Sequence, residues 1–373
     1  MDNIRFAVDL GTTNIEVAMI CDDNQSFIAD KIIKNRQSLY GSDVINRISA
    51  TIKNNKLLDT MRNMVLSDLQ SVFEEMLSAN GYNAEMVDRI CICGNTTMIS
   101  ILLGYDISGL GSYPFKHKLS KSIVCASEDL FPGLFKNNTK VILSGCAGPF
   151  IGGDILSGIY YLLNNYPLSF DSDSNSLFID MGTNGEMILF SKGKYFGTST
   201  ACGPAFEGCT RRQSVYGYST IDAISLGINA GRIKRNGTFA DLASDGITIS
   251  GVRLDSDILE NIILAKAGIY TGIKLLMDYA KVTSDMVDNV YIAGGFGFNL
   301  NIDSAINIGL LPEIFKDKIT VVGNTSLKGA ALLLESCSGQ ILPIDEYNID
   351  ILQLANDDSF RMELVNNLSF ARK

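Results

Sequence analysis

One short phrase occurs twice in this chain of 373 residues, first as Asp9-Leu10-Gly11-Thr12-Thr13-Asn14 and again as Asp180-Met181-Gly182-Thr183-Asn184-Gly185. Apolar runs of strand length lead into each copy, Ile4 to Val8 and Leu177 to Ile179, and a second apolar stretch follows each, Ile15 to Ile20 and Met187 to Phe190. The repeated unit reads as strand, polar turn, strand, and any fold for this chain must supply two such strand ends. A turn of Gly and Thr brings backbone N–H groups and a hydroxyl close to an anion, because glycine has no Cβ to hold a ligand away. Asp9 and Asp180 at the strand tips suit a hydrated Mg²⁺, held through water beside phosphates. A single Asp-x-Gly-Thr is ordinary hairpin chemistry, but two copies in the same strand context point to a nucleotide tail gripped from two sides. Gly11, Thr12, Thr13 and Asn14 would do so in the first turn, and Gly182, Thr183 and Asn184 in the second.

A third strand run, Val290 to Ala293, ends in Gly294-Gly295-Phe296-Gly297. Glycines at a strand end let a flat ring lie on bare backbone, so Gly294, Gly295 and Phe296 form an expected adenine shelf. Two further carboxylates are candidates for the chemistry. Asp154 follows Gly152-Gly153 and leads into a helix-like run, so it is either an N-cap or a base for water or a metal-bound water. Glu207, in Gly203-Pro204-Ala205-Phe206-Glu207-Gly208, could contact the ribose or a metal-bound water and ranks slightly higher. Glu186 directly follows the second turn, where solvent exposure explains it as well.

The two Asp-x-Gly-Thr turns, Ala293-Gly294-Gly295-Phe296-Gly297, and Gly323-Asn324-Thr325 before a small-residue helix stand in an order that resembles the actin, sugar kinase and heat-shock chaperone ATPase superfamily. Tyr40-Gly41-Ser42-Asp43-Val44-Ile45-Asn46-Arg47-Ile48, Gly94-Asn95-Thr96-Thr97-Met98, the turn around Glu207 and Ile308-Gly309-Leu310-Leu311-Pro312 are similar to the reductive activators of corrinoid proteins, the RACo or RamA-like family. The likeness runs from about residue 4 to about residue 370. It implies an α/β, two-lobed ATPase of the ribonuclease H-like kind with a nucleotide cleft, binding ATP or ADP with Mg²⁺. It implies in turn an ATP-dependent activator of a corrinoid protein. The family's iron–sulfur domain has no counterpart here, so electrons are expected from a separate ferredoxin-like protein; a homodimer is compatible with the pattern. One departure stands out, because Cys209 to Tyr218 is shorter than the family's usual stretch. The alternatives are a small-molecule sugar or acid kinase of the same superfamily, for which Asp154 is the candidate base, and a degenerate nucleotide-binding scaffold.

Composition narrows the classes. The length suits two cores, and 46% hydrophobic residues with 34 glycines suit a packed α/β protein. A net charge of −10 argues against nucleic acid as partner. The N-terminal residues lack the basic start and apolar core of a signal peptide and no apolar run reaches about 18 residues, so a membrane is not expected and a cytoplasmic location is. Eight cysteines include no Cys-x-x-Cys, and they read as reduced thiols with no iron–sulfur cluster in this chain. There is no P-loop motif, and the single histidine, His117, reads as an ordinary loop residue. Apolar residues from Leu57 to Leu77 fall on one face of a helix stopped by Asn80-Gly81, and a second long helix follows Asp257. The lobe boundary is expected near residues 136–141, giving lobes of 1–140 and 141–373, with the last helices packing back on the first lobe.

Overall fold

In the computed structural model the described residues are 3–21, 27–202, 209–210, 213–214, 217–241, 245–297, 299–336 and 342–372. The chain begins with a meander, β1 (Ile4–Leu10), β2 (Asn14–Cys21) and β3 (Phe27–Lys34), paired antiparallel in that order. Helices α1 (Val44–Lys53) and α2 (Lys56–Ala79) follow, the latter burying Met61, Val65, Leu69, Val72, Phe73, Met76 and Leu77 as its periodicity requires. Strand β4 (Val87–Gly94) lies parallel to β1 and leads into α3 (Thr96–Leu103); β5 (Ile123–Ala126) and β6 (Lys140–Leu143) come next, with β6 parallel to β4. Helix α4 (Gly153–Asn165) closes this part. The sheet order is β3-β2-β1-β4-β6-β5.

The same plan then repeats. Strands β7 (Asn175–Met181), β8 (Asn184–Ser191) and β9 (Lys194–Ala201) form a second antiparallel meander. Two short ribbons, β10 (Cys209–Thr210) with β11 (Gln213–Ser214) and β12 (Ile247–Ile249) with β13 (Val252–Leu254), flank α5 (Gly217–Asn229). The long helix α6 (Ser256–Ala280) starts at Asp255, whose side chain accepts from Ile258 N. Strand β14 (Asn289–Ala293) lies parallel to β7 and runs into the single turn α7 (Gly294–Gly297); after α8 (Ile302–Asn307), β15 (Ile319–Gly323) lies parallel to β14. Helix α9 (Thr325–Ser336), strand β16 (Ile349–Ile351) and helix α10 (Asp358–Asn366) complete the chain. The second order is β15-β14-β7-β8-β9-β16. Strand for strand, β9-β8-β7-β14-β15 repeats β3-β2-β1-β4-β6, so the twice-used phrase marks a twice-used topology.

Contacts divide the chain into Met1–Asn165 with Thr325–Asn348, and Tyr166–Asn324 with Ile349–Lys373. The division after Asn165 differs from the boundary expected near 136–141, because β6 completes the first sheet and α4 packs on it through α9. Of the last helices, α9 belongs to the first unit. Helix α10 belongs to the second, where Glu363 pairs with Lys274 of α6 at 2.7 Å. Each unit has its own core: Phe6, Phe73 and Phe131 stack edge to tilt in the first, and Ile269, Ile273, Phe296 and Phe315 are among the buried residues of the second.

Candidate functional site

Each Asp-x-Gly-Thr turn is built the same way within its own unit. In the first, Asp9 sits at the end of β1 opposite Glu16 of β2; in the second, Asp180 sits at the end of β7 opposite Glu186 of β8. Residues directly opposite in an antiparallel pair project to the same face, so both copies set two carboxylates side by side at the mouth of the turn. Sequence reasoning named Glu186 only as a minor candidate and missed Glu16. The signal was the equal position of each Glu across its hairpin, which is readable only once the register is known.

The glycines that follow the parallel neighbour are equivalent too. Gly94 follows Cys93, which pairs with Asp9, and Gly294 follows Ala293, which pairs with Asp180. A Cβ on Gly94 would lie 2.7 Å from the Leu10 carbonyl oxygen, and one on Gly294 would lie 2.4 Å from that of Met181 and 2.7 Å from Asp180 Oδ1. Both positions therefore require glycine for close backbone approach to the turn, and Gly294 also has φ 90°. Gly295 differs, since no atom of the described residues lies within 4 Å of its Cβ direction. Phe296 is 5% exposed and belongs to the core of the second unit.

The first turn is braced from three sides. Asn35 donates through Nδ2 to the Gly11 carbonyl at 2.9 Å and through its backbone N–H to that of Thr13 at 2.9 Å. Asn95, the N-cap of α3, donates to Thr12 Oγ1 at 3.0 Å while its own oxygen accepts from Met98 N. Arg47, wholly buried, donates to the Thr12 carbonyl, to Gly41 O at 3.0 Å and to Gln37 Oε1 at 2.9 Å. These contacts explain the Tyr40 to Ile48 and Gly94 to Met98 motifs as the turn's scaffold. In the second turn, Gly182 N donates to Asn184 O at 2.9 Å and Cys202 N to Thr183 O at 3.3 Å. The hydroxyl residues Thr12 and Thr183 are buried, whereas Asn14 is exposed.

Asp9 gathers the first unit's chemistry. Ser326, in the first turn of α9, donates to Asp9 Oδ1 at 2.8 Å. Asp154 lies at the start of α4, where its Oδ1 accepts from Ile155 N at 2.9 Å. Burial above all, with the Asp9 charge second, pushes the Asp154 carboxyl up to about 7. Asp154 is the second residue of α4, so it lies inside the first turn and is not the N-cap, and its carboxyl is close enough to Asp9 to feel that charge. Two buried hydroxyls in this unit, Ser144 Oγ and Thr325 Oγ1, have no hydrogen-bond partner among the described residues. Glu207 lies outside the described residues, as do residues 211–212 and 215–216 of the 209–218 stretch.

The donor set fits a magnesium–nucleotide group. Among the described residues no three His, Cys, Asp or Glu side chains form a metal cage. Mg²⁺ commonly uses one or two carboxylates and fills its remaining positions with water and phosphate oxygens, and each unit carries its own pair of carboxylates at its turn, Asp9 with Glu16 in the first and Asp180 with Glu186 in the second. Cys91 and Cys93 approach to 3.9 Å within β4 and are wholly buried. Burial pushes the Cys125 and Cys146 thiols up to about 11, which keeps them protonated and poor ligands. His117 donates through Nδ1 to the Leu119 carbonyl at 2.6 Å. No helix among the described residues is long and apolar enough to cross a membrane.

Two six-stranded sheets that share the order of five strands, each with an Asp-x-Gly-Thr turn at the end of its first strand, define a protein of the actin, sugar kinase and heat-shock ATPase class. The family described as the RACo middle region matches residues 4–163, and that described as the C-terminal domain of RACo, the ASKHA domain, matches residues 174–219 and 210–373. The chain belongs to the RACo family. It is 24% identical over 88% of its length to the corrinoid activation enzyme RamQ of Eubacterium limosum, of which it covers 64%. It is 22% identical over 64% of its length to the [Co(II) methylated amine-specific corrinoid protein] reductase of Methanosarcina barkeri, of which it covers 41%. The solved reductive activator for corrinoid,iron-sulfur protein superposes over 99% of this chain with a TM-score of 0.86 and 25% identity, and 66% of that protein is covered. The chain thus spans less than two thirds of the length of these relatives.

Proposed function

We propose that this protein is an ATP-dependent activator that drives the reductive reactivation of a corrinoid protein. The observation that carries the proposal is the doubled turn architecture in a chain whose relatives are named for corrinoid activation. Bound Mg·ATP would supply the free energy for an uphill one-electron reduction of the partner's cobalt(II) to cobalt(I), the electron coming from a separate ferredoxin-like iron–sulfur protein. In this chain Gly11, Thr12, Thr13 and Asn14, and Gly182, Thr183 and Asn184, present backbone N–H groups and hydroxyls to phosphate. Asp9 and Asp180 would hold Mg²⁺ through its bound water. Asp154 takes or returns a proton beside Asp9, and Gly295 offers the open backbone for the adenine. Turnover changes the surface shown to the partner.

A small-molecule kinase is the second reading, favoured by the place of Asp154, a buried carboxyl in the first turn of α4 whose affinity for a proton is raised by burial and by the Asp9 charge, which suits it to deprotonating an acceptor hydroxyl. Anaerobic turnover with the organism's cobalt(II) corrinoid protein and a reduced ferredoxin separates the two. The activator reading expects ATP-dependent loss of the cobalt(II) electron paramagnetic resonance signal and phosphate release stimulated by the corrinoid protein. Transfer of phosphate to a sugar or carboxylic acid, with no response to the corrinoid protein, would establish the kinase instead.

A further inference from the structure

Helix α1 faces two ways. Arg47, Ile48 and Thr51 are buried, while Ile45 and Ile52, on the same stripe at i and i+7, are 47% and 59% exposed. Support of the phosphate turn explains the inward half of the Tyr40 to Ile48 motif and leaves Ile45 unexplained. The apolar stripe continues beyond the helix. A Cβ on Gly111 would lie 3.4 Å from Ile52 Cδ1, which brings the stripe against the segment carrying Tyr113 and Phe115. Tyr113 is 65% exposed and meets Phe115 edge-on at 6.0 Å; Phe115 in turn meets Phe150 at 4.9 Å.

Phe115 has φ 56°, a left-handed conformation that is costly for a bulky side chain. Outliers of that kind persist where the surroundings impose them, and they cluster at binding segments. The charges beside Phe115 are basic although the chain as a whole carries −10, and at the Ile45 end Asp43 is engaged as the N-cap of α1, accepting from Asn46 N and Nδ2. Lys116 and Lys118 are exposed; Lys118 Nζ stands 4.0 Å over the Tyr105 ring, and the Lys116 carbonyl abuts Gly109. The one acidic side chain of this segment, Asp106, accepts from Ser108 N and Oγ at 2.9 and 2.8 Å.

We infer that the strip of Ile45, Ile52, Tyr113 and Phe115, rimmed by Lys116 and Lys118, is the surface on which the corrinoid protein docks, through a face that is apolar at its centre and carboxylate-rich at its rim. This rests on the activator reading above. Charge selects the occupant. Pairing with a second copy through the same strip would be isologous and would bring the lysine rims of the two copies together, whereas an acidic rim completes them and raises the association rate. Location gives the docking a consequence: the partner would sit on one side of α1, and Arg47 on the other side holds the Thr12 carbonyl, about one helix diameter or ~10 Å away.

The test uses the whole chain and the organism's cobalt(II) corrinoid protein, with affinity measured by calorimetry at two salt concentrations. Ile45→Glu is expected to weaken corrinoid-protein binding at least tenfold while leaving Mg·ATP affinity and melting temperature unchanged. Lys116→Glu with Lys118→Glu is expected to weaken it severalfold and to flatten its salt dependence. Wild-type binding with no effect of either variant would overturn the docking surface and leave the activator reading standing. Absence of wild-type binding would overturn both. Sedimentation showing a dimer that Ile45→Glu dissociates would assign the strip to a second copy and overturn the proposal.

Discussion

Single carboxylates carry the sharpest expectations. Asp9→Ala and Asp180→Ala should each lower Mg·ATP affinity by at least tenfold, read by calorimetry, while far-ultraviolet circular dichroism stays unchanged, because both side chains lie at turn mouths outside the two cores. Asp154 gives a pH signature. Its carboxyl is raised from 3.8 to about 7 in the fold, so the folded state disfavours the charged form. Its neutral form therefore costs nothing below 3.8, and stability is lost as pH rises through about 7. Asp154→Asn should thus leave the melting temperature unchanged at pH 3.5 and raise it at pH 8, with a ceiling of ~4 kcal/mol at ~1.4 kcal/mol per unit. A variant less stable than wild type at pH 8 would show that the carboxylate is instead stabilised by partners in the folded state. Two adjacent glycines separate fold from site: Gly294→Val must displace the Met181 carbonyl and should unfold the second unit, whereas Gly295→Val meets open space and should cost nucleotide affinity alone. Unchanged Mg·ATP affinity in a folded Gly295→Val would place the base elsewhere.

At the level of elements, α1 and β3 show what the sequence could and could not reveal. The stripe of α2 was legible from Leu57 to Leu77 because its apolar period is that of a helix. Arg47 was not: a charged residue within a motif carries no mark that it will be wholly buried and bonded to the Thr12 carbonyl 35 positions earlier. Register hid Glu16 in the same way, since a cross-strand neighbour is defined by the turn's length and not by the residue itself. Arg47→Lys keeps the charge but cannot serve Thr12, Gly41 and Gln37 together; unfolding in urea should show a loss of ~2 kcal/mol or more, and Mg·ATP affinity should fall as the turn loosens. Strand β3 forms an edge of the first sheet, with Phe27 and Ile32 exposed. Antiparallel pairing of two copies about a two-fold axis keeps each side chain on its own face, so the centre of such a pair would oppose Asp30 to Asp30 or Lys31 to Lys31. Like charges directly opposed resist that pairing. Lys31→Ile with Asp30→Val should therefore promote self-association, visible by light scattering, and a double variant as monodisperse as wild type would mean the edge is protected by something else.

For the molecule as a whole, the repeated phrase foretold more than a pair of turns. It marked a duplicated order of strands, with Gly94 and Gly294 making the same close approach to Leu10 and Met181. The division after Asn165 was hidden because the apolar strand at Val141 looks like a fresh start, although it completes the first sheet beside β4. On the activator reading, a nucleotide biases the conformational equilibrium of this chain, and any partner that prefers one state must change nucleotide affinity by the same factor that nucleotide changes its own. A tenfold effect corresponds to about 1.4 kcal/mol. Titrating Mg·ATP with and without the cobalt(II) corrinoid protein should therefore give equal ratios when the order of addition is reversed, and Asp9→Ala should reduce the ratio to one. Partner affinity that is indifferent to nucleotide, in a protein that binds both, would separate docking from the ATP cycle and remove the switch from the mechanism.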